Sequence, residues 1–237
     1  MNSKIGENMI DILLVNPPSP DDSIIIRDLN RSGRTSKERI IWPQTNLAYM
    51  AAMVDETLEV EIIDCIAEDM DWKQFEQYLL EKKPRYLVSH VITSLETNDI
   101  KTFYLAKQIS ECITIAMGPH VTELTEEVLT NHLSLDFIIR GETEITFKEL
   151  ITTLEQNGDL SKVNGIAYRD NGVTKTSDER EFITNLDELP LPRHDLLPLE
   201  KYVFPFIASK FTFVISSRGC PYPCTFCRQP IMWDYKV

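Results

Sequence analysis

The sequence predicts an α/β fold: a doubly wound parallel sheet of five strands that continues through a linker into the start of a second domain. Three observations favour this class. Short apolar runs alternate with amphipathic stretches from residue 10 to about residue 155, which is typical of successive β-α units. The pair Asn171-Gly172 then predicts a β-hairpin. Finally, four prolines within residues 186–206 predict a stiff linker.

Five short apolar runs are the predicted strands of the sheet. They are rich in Val, Ile and Leu, and they are too short for buried helices. The runs cover residues 11–15, 60–64, 86–92, 113–117 and 136–139. Because helical patterns separate them, we expect right-handed crossovers, parallel strands and a sheet that is covered on both faces.

The helices between the strands are predicted from apolar side chains spaced three and four residues apart. One such face begins at Leu47 and another at Phe147. Asp71, followed three residues later by Gln74, has the pattern of a helix start. The predicted hairpin, with strands at 163–168 and 173–175, follows the last of these helices.

The first strand is followed by an unusually long connection, from residue 16 to about residue 44. Loops of this length in a compact α/β unit are commonly lids or binding loops, or else they are disordered. The sequence leaves both interpretations open. If the connection is not a lid, its charged side chains are expected to be solvated: Asp21, Asp22, Arg27, Arg31, Arg34 and Lys37.

The ligand crevice of a doubly wound sheet lies at the carboxyl ends of its strands. The residues just past each predicted strand are therefore candidate binding residues. The chain has eight glycines and no G-x-G pair, so the dinucleotide and P-loop fingerprints are absent. Structural interpretations stay open for these residues: a plain turn at Asn16, a helix cap at Thr93 and Ser94, a backbone-bonded turn histidine at His120, and a mutual ion pair of Arg140 with Glu142 at a helix start.

The composition excludes several classes of protein. At 43% hydrophobic and 26% charged residues, the chain has the composition of a globular protein. No apolar run approaches the roughly 18 residues that span a bilayer, and no secretory leader is visible. We therefore expect no transmembrane segment and a cytoplasmic location. The formal net charge of −13 has the wrong sign for binding phosphate, which predicts that nucleic acid is not a partner.

Three of the five cysteines, Cys220, Cys224 and Cys227, lie within eight residues of one segment. This spacing indicates a metal site rather than a disulfide framework. The isolated Cys65 and Cys112 are expected to be small core residues. Three thiolates on one loop can hold three corners of a four-iron cluster. A structural zinc site is the alternative, but it requires a fourth protein ligand, and no His or Cys follows Cys227.

The spacing C-x-x-x-C-x-aromatic-C, after a predicted strand at 211–215, resembles the radical S-adenosylmethionine (SAM) superfamily. The resemblance implies that the three cysteines hold a 4Fe-4S cluster whose fourth iron is open to SAM, and that the cluster cleaves SAM to a 5′-deoxyadenosyl radical. It also implies that Phe226 lies near the adenine of SAM. The cations Arg218 and Arg228 are expected to favour an anionic cluster.

The segments after the predicted strands resemble the cobalamin-binding domain that precedes the radical barrel in one large subclass, a flavodoxin-like fold of the cobalamin-binding type. The similar segments are Leu-Leu-Val-Asn-Pro-Pro at 13–18, Gly-Pro-His-Val-Thr at 118–122 and Arg-Gly-Glu at 140–142. The linker's Leu-Pro-Leu-Pro-Arg and the junction Ser-Arg-Gly-Cys are similar too. The resemblance implies cobalamin contacts at Asn16, Pro17, Thr93, Ser94, Gly118, Pro119, His120, Val121, Arg140, Gly141 and Glu142.

One motif of other cobalamin proteins is missing from the sequence. Methionine-synthase-like proteins coordinate cobalt with D-x-H-x-x-G, and no histidine here has an aspartate two residues before it. We therefore expect no histidine ligand to cobalt, as the radical subclass implies.

Together the resemblances imply a cobalamin-dependent radical SAM enzyme that performs methyl transfer, radical cyclisation or rearrangement on an unactivated substrate. The expected substrate is a small or lipid-like molecule, and the expected electron donor is an external flavodoxin or ferredoxin. The predicted domains are a cobalamin-binding α/β domain at 1–155, a hairpin and linker at 156–207, and the start of a radical SAM domain at 208–237.

Ten residues follow Cys227 in the sequence. The resemblance implies a further barrel that carries most of the SAM contacts and the substrate pocket. We therefore expect a truncated gene, a fragment, or a split enzyme that awaits a partner. The alternative function is a stand-alone corrinoid-binding module, in which the cysteine loop is inert or forms a partner interface.

Overall fold

A computed structural model describes residues 10–27, 33–227 and 229–235 of the chain. Its strands are β1 Ile12–Asn16, β2 Ile25–Ile26, β3 Arg34–Thr35, β4 Val60–Asp64, β5 Tyr86–His90, β6 Ile113–Met117, β7 Phe137–Ile139, β8 Ile166–Asp170, β9 Val173–Thr176, β10 Val203–Phe204 and β11 Ser209–Lys210. Its α-helices are α1 Thr45–Ala52, α2 Trp72–Lys82, α3 Glu96–Ile109, α4 Pro119–Glu123, α5 Thr125–Asn131, α6 Glu144–Glu155 and α7 Gln229–Trp233.

Most of the described strands belong to one sheet of seven, in the order β4-β1-β5-β6-β7-β8-β9. The first five strands of this order are parallel, and they are the five predicted runs. The hairpin β8-β9 extends the sheet because β8 pairs antiparallel with β7. The predicted α/β fold with a mainly parallel sheet is confirmed, and the sheet is two strands wider than the predicted five.

The order of the strands shows where the crevice of the sheet lies. Numbered along the chain, the five parallel strands lie in the order 2-1-3-4-5, so the chain changes direction across the sheet between β1 and β5. Crossovers on either side of such a switch point lie on opposite faces, which leaves a crevice at the carboxyl ends of these two strands. The residues after β1 and β5 therefore flank the geometric centre of the candidate site.

Both faces of the sheet are covered, as a parallel sheet requires. All five residues of β1 are buried. Leu13 and Val15 pack in one apolar cluster with residues of α2 and α3, whereas Ile12 and Leu14 pack in the other with residues of α1 and α6. Each fully buried aliphatic side chain stabilises the fold by roughly 1.5–3 kcal/mol.

Two local predictions are confirmed. The Asp71 carboxylate accepts from the Gln74 backbone N–H at 2.8 Å, and the Gln74 side chain accepts from the Asp71 N–H at 2.8 Å, which forms a capping box at the start of α2. In the turn between β8 and β9, Asn171 and Gly172 have φ values of +50° and +81°. This is the left-handed conformation that favours Asn-Gly in hairpins.

The long connection after β1 packs onto the domain where it is described, at 17–27 and 33–44. It contains the β2-β3 pair, and both residues of β2 are buried. Arg31, one of the charged side chains discussed above, lies outside the described residues.

The linker is held against the domain, but the strand predicted after it is wrong. Arg193 N donates to Ala48 O at 3.0 Å, and Tyr202 is fully buried. Residues 211–215 form no strand within the described chain, because a strand needs a hydrogen-bonded neighbour and β1–β11 provide none. Phe213 instead stacks on Trp42, with ring centroids 4.8 Å apart. None of the described helices has the length and apolar character needed to cross a membrane.

Candidate functional site

Polar side chains meet at the carboxyl ends of β1 and β4. Asn16, the last residue of β1, donates its side-chain amide to Asp64 Oδ1 at 2.6 Å. Asp64 also accepts from Ile66 N and Ala67 N, both at 3.1 Å, and from Tyr202 Oη at 2.9 Å. Burial raises the pKa of Asp64 above its usual value, although these donors oppose the shift. Asn16 is therefore part of a buried polar network and does more than form a turn.

An arginine from the long connection lies at the switch point. Arg27 and Asp99 of α3 form an ion pair of 2.8 Å in which neither side chain is exposed. Arg27 also donates to Asn16 Oδ1 and Pro17 O, both at 3.2 Å, and Asp99 accepts from Ile92 N at 3.1 Å. The expectation of a solvated Arg27 is wrong, because the Asp99 carboxylate compensates the loss of its hydration.

A buried histidine and a glycine fit closely together beside this ion pair. His90 ends β5 with 1% exposure, and burial, reinforced by the charge of Arg27, lowers its pKa to about 3. Neither of its ring nitrogens has a hydrogen-bond partner among the described residues. Gly118 has a φ of +112°, and a Cβ at that position would lie 2.6 Å from His90 Nε2. Only glycine fits here, because of both its conformation and the closeness of the ring.

Gly118, Pro119, His120 and Val121 lie at the start of α4, and all four are buried. The helix that follows the cysteine loop, α7, packs against α4.

His120 is not a backbone-bonded turn histidine. His120 Nε2 lies 3.4 Å from Glu96 Oε2, and His132 Nε2 lies 2.8 Å from the other oxygen of that carboxylate. Partial burial of Glu96 favours a raised pKa, but its contacts with His132 and His120 outweigh this effect and lower the pKa.

The loop after β7 contacts the cysteine-bearing segment through Glu142. Glu142 Oε1 accepts from Arg218 Nη1 at 3.2 Å and from Trp233 Nε1 at 3.0 Å. Its Oε2 accepts from Ile183 N at 2.6 Å. The second guanidinium nitrogen of Arg218 donates to Glu144. Burial favours a lowered pKa for Arg218, and the two carboxylates outweigh it and raise the pKa.

Arg140 lies apart from these contacts. Its guanidinium donates to Ser177 O at 3.2 Å and lies 3.5 Å from Glu179 Oε1. The alternative of a mutual Arg140–Glu142 pair is therefore wrong, because each side chain has partners from later segments of the chain.

Thr93 and Ser94 follow β5 and are exposed, in a 3-10 turn that precedes α3. The N-cap residue of α3 is Leu95, and no side chain caps the helix. The interpretation of Thr93 and Ser94 as a helix cap is therefore wrong. Both residues are exposed at the switch point of the sheet.

Two cavities open along the carboxyl edge. One of about 860 Å³ lies beside β1 and β4, and its lining includes residues 19–24 of the long connection and residues 65–67 and 69–73 after β4. The other, of about 300 Å³, lies between the loop after β7 and α7, and its lining includes Arg140, Gly141, Glu142, Ile231 and Met232. Both volumes are in or near the range of small-molecule pockets.

The cysteine loop has no regular secondary structure from residue 216 to residue 224. Cys220, Cys224 and Cys227 are free thiols, and Cys224 is exposed. The described residues contain no group of three His, Cys, Asp or Glu side chains close enough to hold a metal ion, so the three sulfurs are not gathered. The chemistry of the donor set, three accessible thiols on one short loop, nevertheless fits a 4Fe-4S cluster. Phe226 is 90% exposed.

Cys65 and Cys112 are buried, as expected of core residues. Burial raises the pKa of the Cys112 thiol to about 12, with smaller effects from neighbouring charges, so it remains protonated and unreactive.

The sequence patterns missed several residues of this edge of the sheet, namely Asp64, Asp99 and Tyr202. One signal was present: Asp99 lies on the face of α3 that also carries Phe103 and Ala106, and all three are buried. A carboxylate on a buried helix face requires a partner. Nothing in the local sequence identifies that partner as Arg27, because the two residues lie far apart in the chain and are joined only by the fold.

Comparison with known proteins decides the family. The chain is 34% identical over 226 residues to an uncharacterized methyltransferase of Pyrococcus horikoshii. The aligned region covers 95% of this chain and 46% of the relative. It is 30% identical over 205 residues to the anaerobic magnesium-protoporphyrin IX monomethyl ester cyclase of Rubrivivax gelatinosus, covering 83% of this chain and 37% of that protein. The chain belongs to the family of cobalamin-binding radical SAM proteins. It spans less than half the length of these two relatives.

Solved structures of cobalamin-binding radical SAM proteins share the fold. The cobalamin-dependent radical enzyme OxsB, solved with aqua-cobalamin and SAM, superposes with a TM-score of 0.67 at 23% identity, covering 92% of this chain and 28% of OxsB. The methyltransferase TsrM of Kitasatospora setae, solved with cobalamin and a 4Fe-4S cluster, gives a TM-score of 0.62 at 13% identity, covering 94% of this chain and 42% of TsrM. No protein-family model matches the chain.

Proposed function

We propose that the chain contributes the corrinoid-binding domain and the cluster loop of a cobalamin-dependent radical SAM enzyme that methylates, cyclises or rearranges an unactivated substrate. One observation carries the proposal. The segment that bears the three thiols returns to the carboxyl edge of the sheet, where Trp233 donates to Glu142 at 3.0 Å. The two candidate cofactor sites are therefore adjacent parts of one structure.

The corrinoid would bind at the carboxyl edge, in a flavodoxin-like domain of the cobalamin-binding type, for which we propose the bounds 1–155. The strand order 2-1-3-4-5 supports this assignment, because it places a crevice at the carboxyl ends of β1 and β5. The proposed contacts are those implied by the resemblance: Asn16, Pro17, Thr93, Ser94, Gly118, Pro119, His120, Val121, Arg140, Gly141 and Glu142. We propose no histidine ligand to cobalt, because no histidine of the chain has an aspartate two residues before it, as the D-x-H-x-x-G motif requires.

Cys220, Cys224 and Cys227 would ligate the cluster, and Phe226 would contact the adenine of SAM. Pro221 and Pro223 keep the loop from forming a helix, and the exposure of the loop leaves room for the sulfurs to converge. When bound, the 4Fe-4S cluster supplies an electron for the cleavage of SAM, and the cobalamin supplies the methyl group that is transferred. We propose a hairpin and linker at 156–207 and the start of the radical SAM domain at 208–237.

The remaining parts of the proposal follow from the reaction class. The substrate would be a small or lipid-like molecule, and an external flavodoxin or ferredoxin would reduce the cluster. We propose a cytoplasmic location, where such reductants are found. A second candidate function is a corrinoid-binding module without catalysis, and the observation that favours it is the separation of the three sulfurs among the described residues.

Anaerobic reconstitution with iron and sulfide tests the cluster site. We expect the visible charge-transfer absorption of a four-iron cluster, and we expect Cys220→Ala to lose it. Cys112→Ala is the matched control, because it removes a buried thiol outside the loop. A wild-type chain that takes up no iron would overturn the enzyme proposal in favour of the binding module.

Titration with hydroxocobalamin tests the corrinoid site separately. We expect a change in the visible spectrum of the corrinoid on binding, retained in Cys220→Ala. A Ser94→Tyr variant, which places a bulky ring at the exposed switch point, is expected to weaken binding. Equal affinity in this variant would contradict the proposed position of the corrinoid.

A further inference from the structure

We infer that Arg218 is a positioning residue that fastens the cysteine loop to the corrinoid-binding domain. The inference rests on the proposed function for its meaning, though not for its geometry. The Arg218 side chain is 8% exposed, and its guanidinium spans two buried carboxylates, those of Glu142 and Glu144. Its guanidinium carbon also lies 5.7 Å from the centroid of the Tyr49 ring. The arginine of Ser-Arg-Gly-Cys thus pairs with the acids that follow Arg-Gly in the other motif.

The chemistry of guanidinium makes this contact directional. Its planar group presents several N–H donors in a fixed fork, so two carboxylates define both its position and its orientation. The pair is buried, and removing one partner of a buried pair leaves an uncompensated charge. Glu142 is fixed further by Trp233 and by the Ile183 N–H. We call the contact of Arg218 with Glu142 and Glu144 the anchor. Its carboxylate Glu142 is thus held by both the linker and α7.

The anchor acts on the first cysteine because of the short chain between them. Only Gly219, with a φ of +87°, separates Arg218 from Cys220. Consecutive Cα atoms lie about 3.8 Å apart, so the Cα of Cys220 lies within about 7.6 Å of that of Arg218. The loop from 216 to 224 has no backbone secondary structure to place it. A side-chain anchor at Arg218 consequently sets where the first thiol lies relative to the sheet.

The test uses the whole chain and measures amide hydrogen exchange of residues 216–227. Arg218→Met keeps the length and apolar stem of the side chain but removes the fork. We expect exchange in the loop to become at least about tenfold faster, because a broken buried pair opens the segment locally. Arg218→Lys keeps the charge without the fork, and we expect it to recover part of the protection. Arg193→Met is the matched control, since Arg193 pairs with Asp195 on the surface.

Loop exchange in Arg218→Met within about twofold of wild type would overturn the inference, as would a control variant that exchanges equally fast. If Arg218→Met does not fold, Glu144→Gln gives the same comparison with one carboxylate neutralised, and unchanged exchange there also overturns it. The iron content after anaerobic reconstitution is the second readout. We expect Arg218→Met to bind less iron than wild type, and Arg218→Lys to recover part of it.

These readouts separate the inference from the proposed function. If wild-type protein takes up no iron but Arg218→Met still loosens the loop, the cluster proposal fails and the anchor stands. If wild-type protein takes up iron and Arg218→Met takes up as much with equal loop protection, the anchor fails and the cluster proposal stands.

Discussion

Replacing Gly118 by alanine tests the geometry of the crevice most directly. The Cβ would lie 2.6 Å from His90 Nε2 and 2.8 Å from its Cε1, and the His90 side chain is buried. The backbone of Gly118, with φ +112° and ψ 173°, lies in a region that is essentially reserved for glycine, and strain there costs about 1–3 kcal/mol. Overpacking against the ring adds about 1–3 kcal/mol. We expect Gly118→Ala to lose about 2–6 kcal/mol of unfolding free energy.

A matched control separates the two costs. Gly172 has a φ of +81°, and no atom lies within 4 Å of where a Cβ on this residue would be, so Gly172→Ala adds backbone strain alone, about 1 kcal/mol. Both variants are compared by urea unfolding followed by circular dichroism. Combining Gly118→Ala with His90→Ala removes the ring, and we expect the glycine substitution to cost about 1–3 kcal/mol less in that background. Equal losses for the Gly118 and Gly172 variants would refute the close contact with His90.

Three further predictions concern the buried polar groups of the same edge. His90 is neutral in the folded chain because its pKa is lowered from 6.5 to about 3, so the unfolded state binds one more proton in this window; urea unfolding should show stability falling as the pH drops from 6.5 towards 3, by about 1.4 kcal/mol per pH unit from this residue, and a His90→Gln variant with the same slope would contradict it. Tyr202→Phe removes the hydroxyl that donates to Asp64 at 2.9 Å and should lower the unfolding free energy by about 1.5–3 kcal/mol; a loss below about 0.5 kcal/mol, the usual size of a surface effect, would count against this contact. Arg27→Met leaves Asp99 buried and unpaired and should cost about 3–5 kcal/mol in the same assay, whereas the double variant with Asp99→Leu should recover most of it; additive losses would show that the two side chains are not coupled.

The sequence was most informative for the five parallel strands of the sheet. Strands such as β1 and β6 are buried on both faces, so each appears as a continuous apolar run, and the five parallel strands could be located from these runs. Pairing between distant segments leaves no such local pattern. The turn at Asn171-Gly172 predicts a hairpin, but nothing in it shows that β8 pairs with β7. Residues 211–215 show the opposite failure, since their apolar character predicts a strand for which the described chain provides no neighbour.

The candidate site was predictable to the extent that strand ends are predictable. Asn16, Gly118 and Glu142 all lie at the carboxyl edge because each ends or follows a strand. Their contacts were not predictable, because a side chain such as Glu142 has partners more than 40 residues away, at Ile183 and Arg218. Local patterns fix the position of a residue on an element. Only the assembled fold determines which buried donor meets which acceptor.

The distribution of charge acquires a different explanation from the structure. The segment from 201 to 237 holds five basic residues and one acid, whereas the whole chain has a net charge of −13. The sequence suggested that cations such as Arg218 favour an anionic cluster. In the structure, Lys201, Lys210 and Arg218 instead pair with acids that precede this segment, namely Glu68, Glu200, Glu142 and Glu144.

Pairing with acids changes the charge balance most at Arg218, because its single positive charge faces two carboxylates. The pairs with Glu142 and Glu144 offset its charge, so any influence of Arg218 on a bound cluster would act through the placement of the loop. Lys201 and Lys210 are about half exposed, and surface pairs of this kind contribute little, roughly 0–1 kcal/mol each. Among the described basic residues of this segment, Arg218 is therefore the one whose ion pairs with the acidic domain are buried.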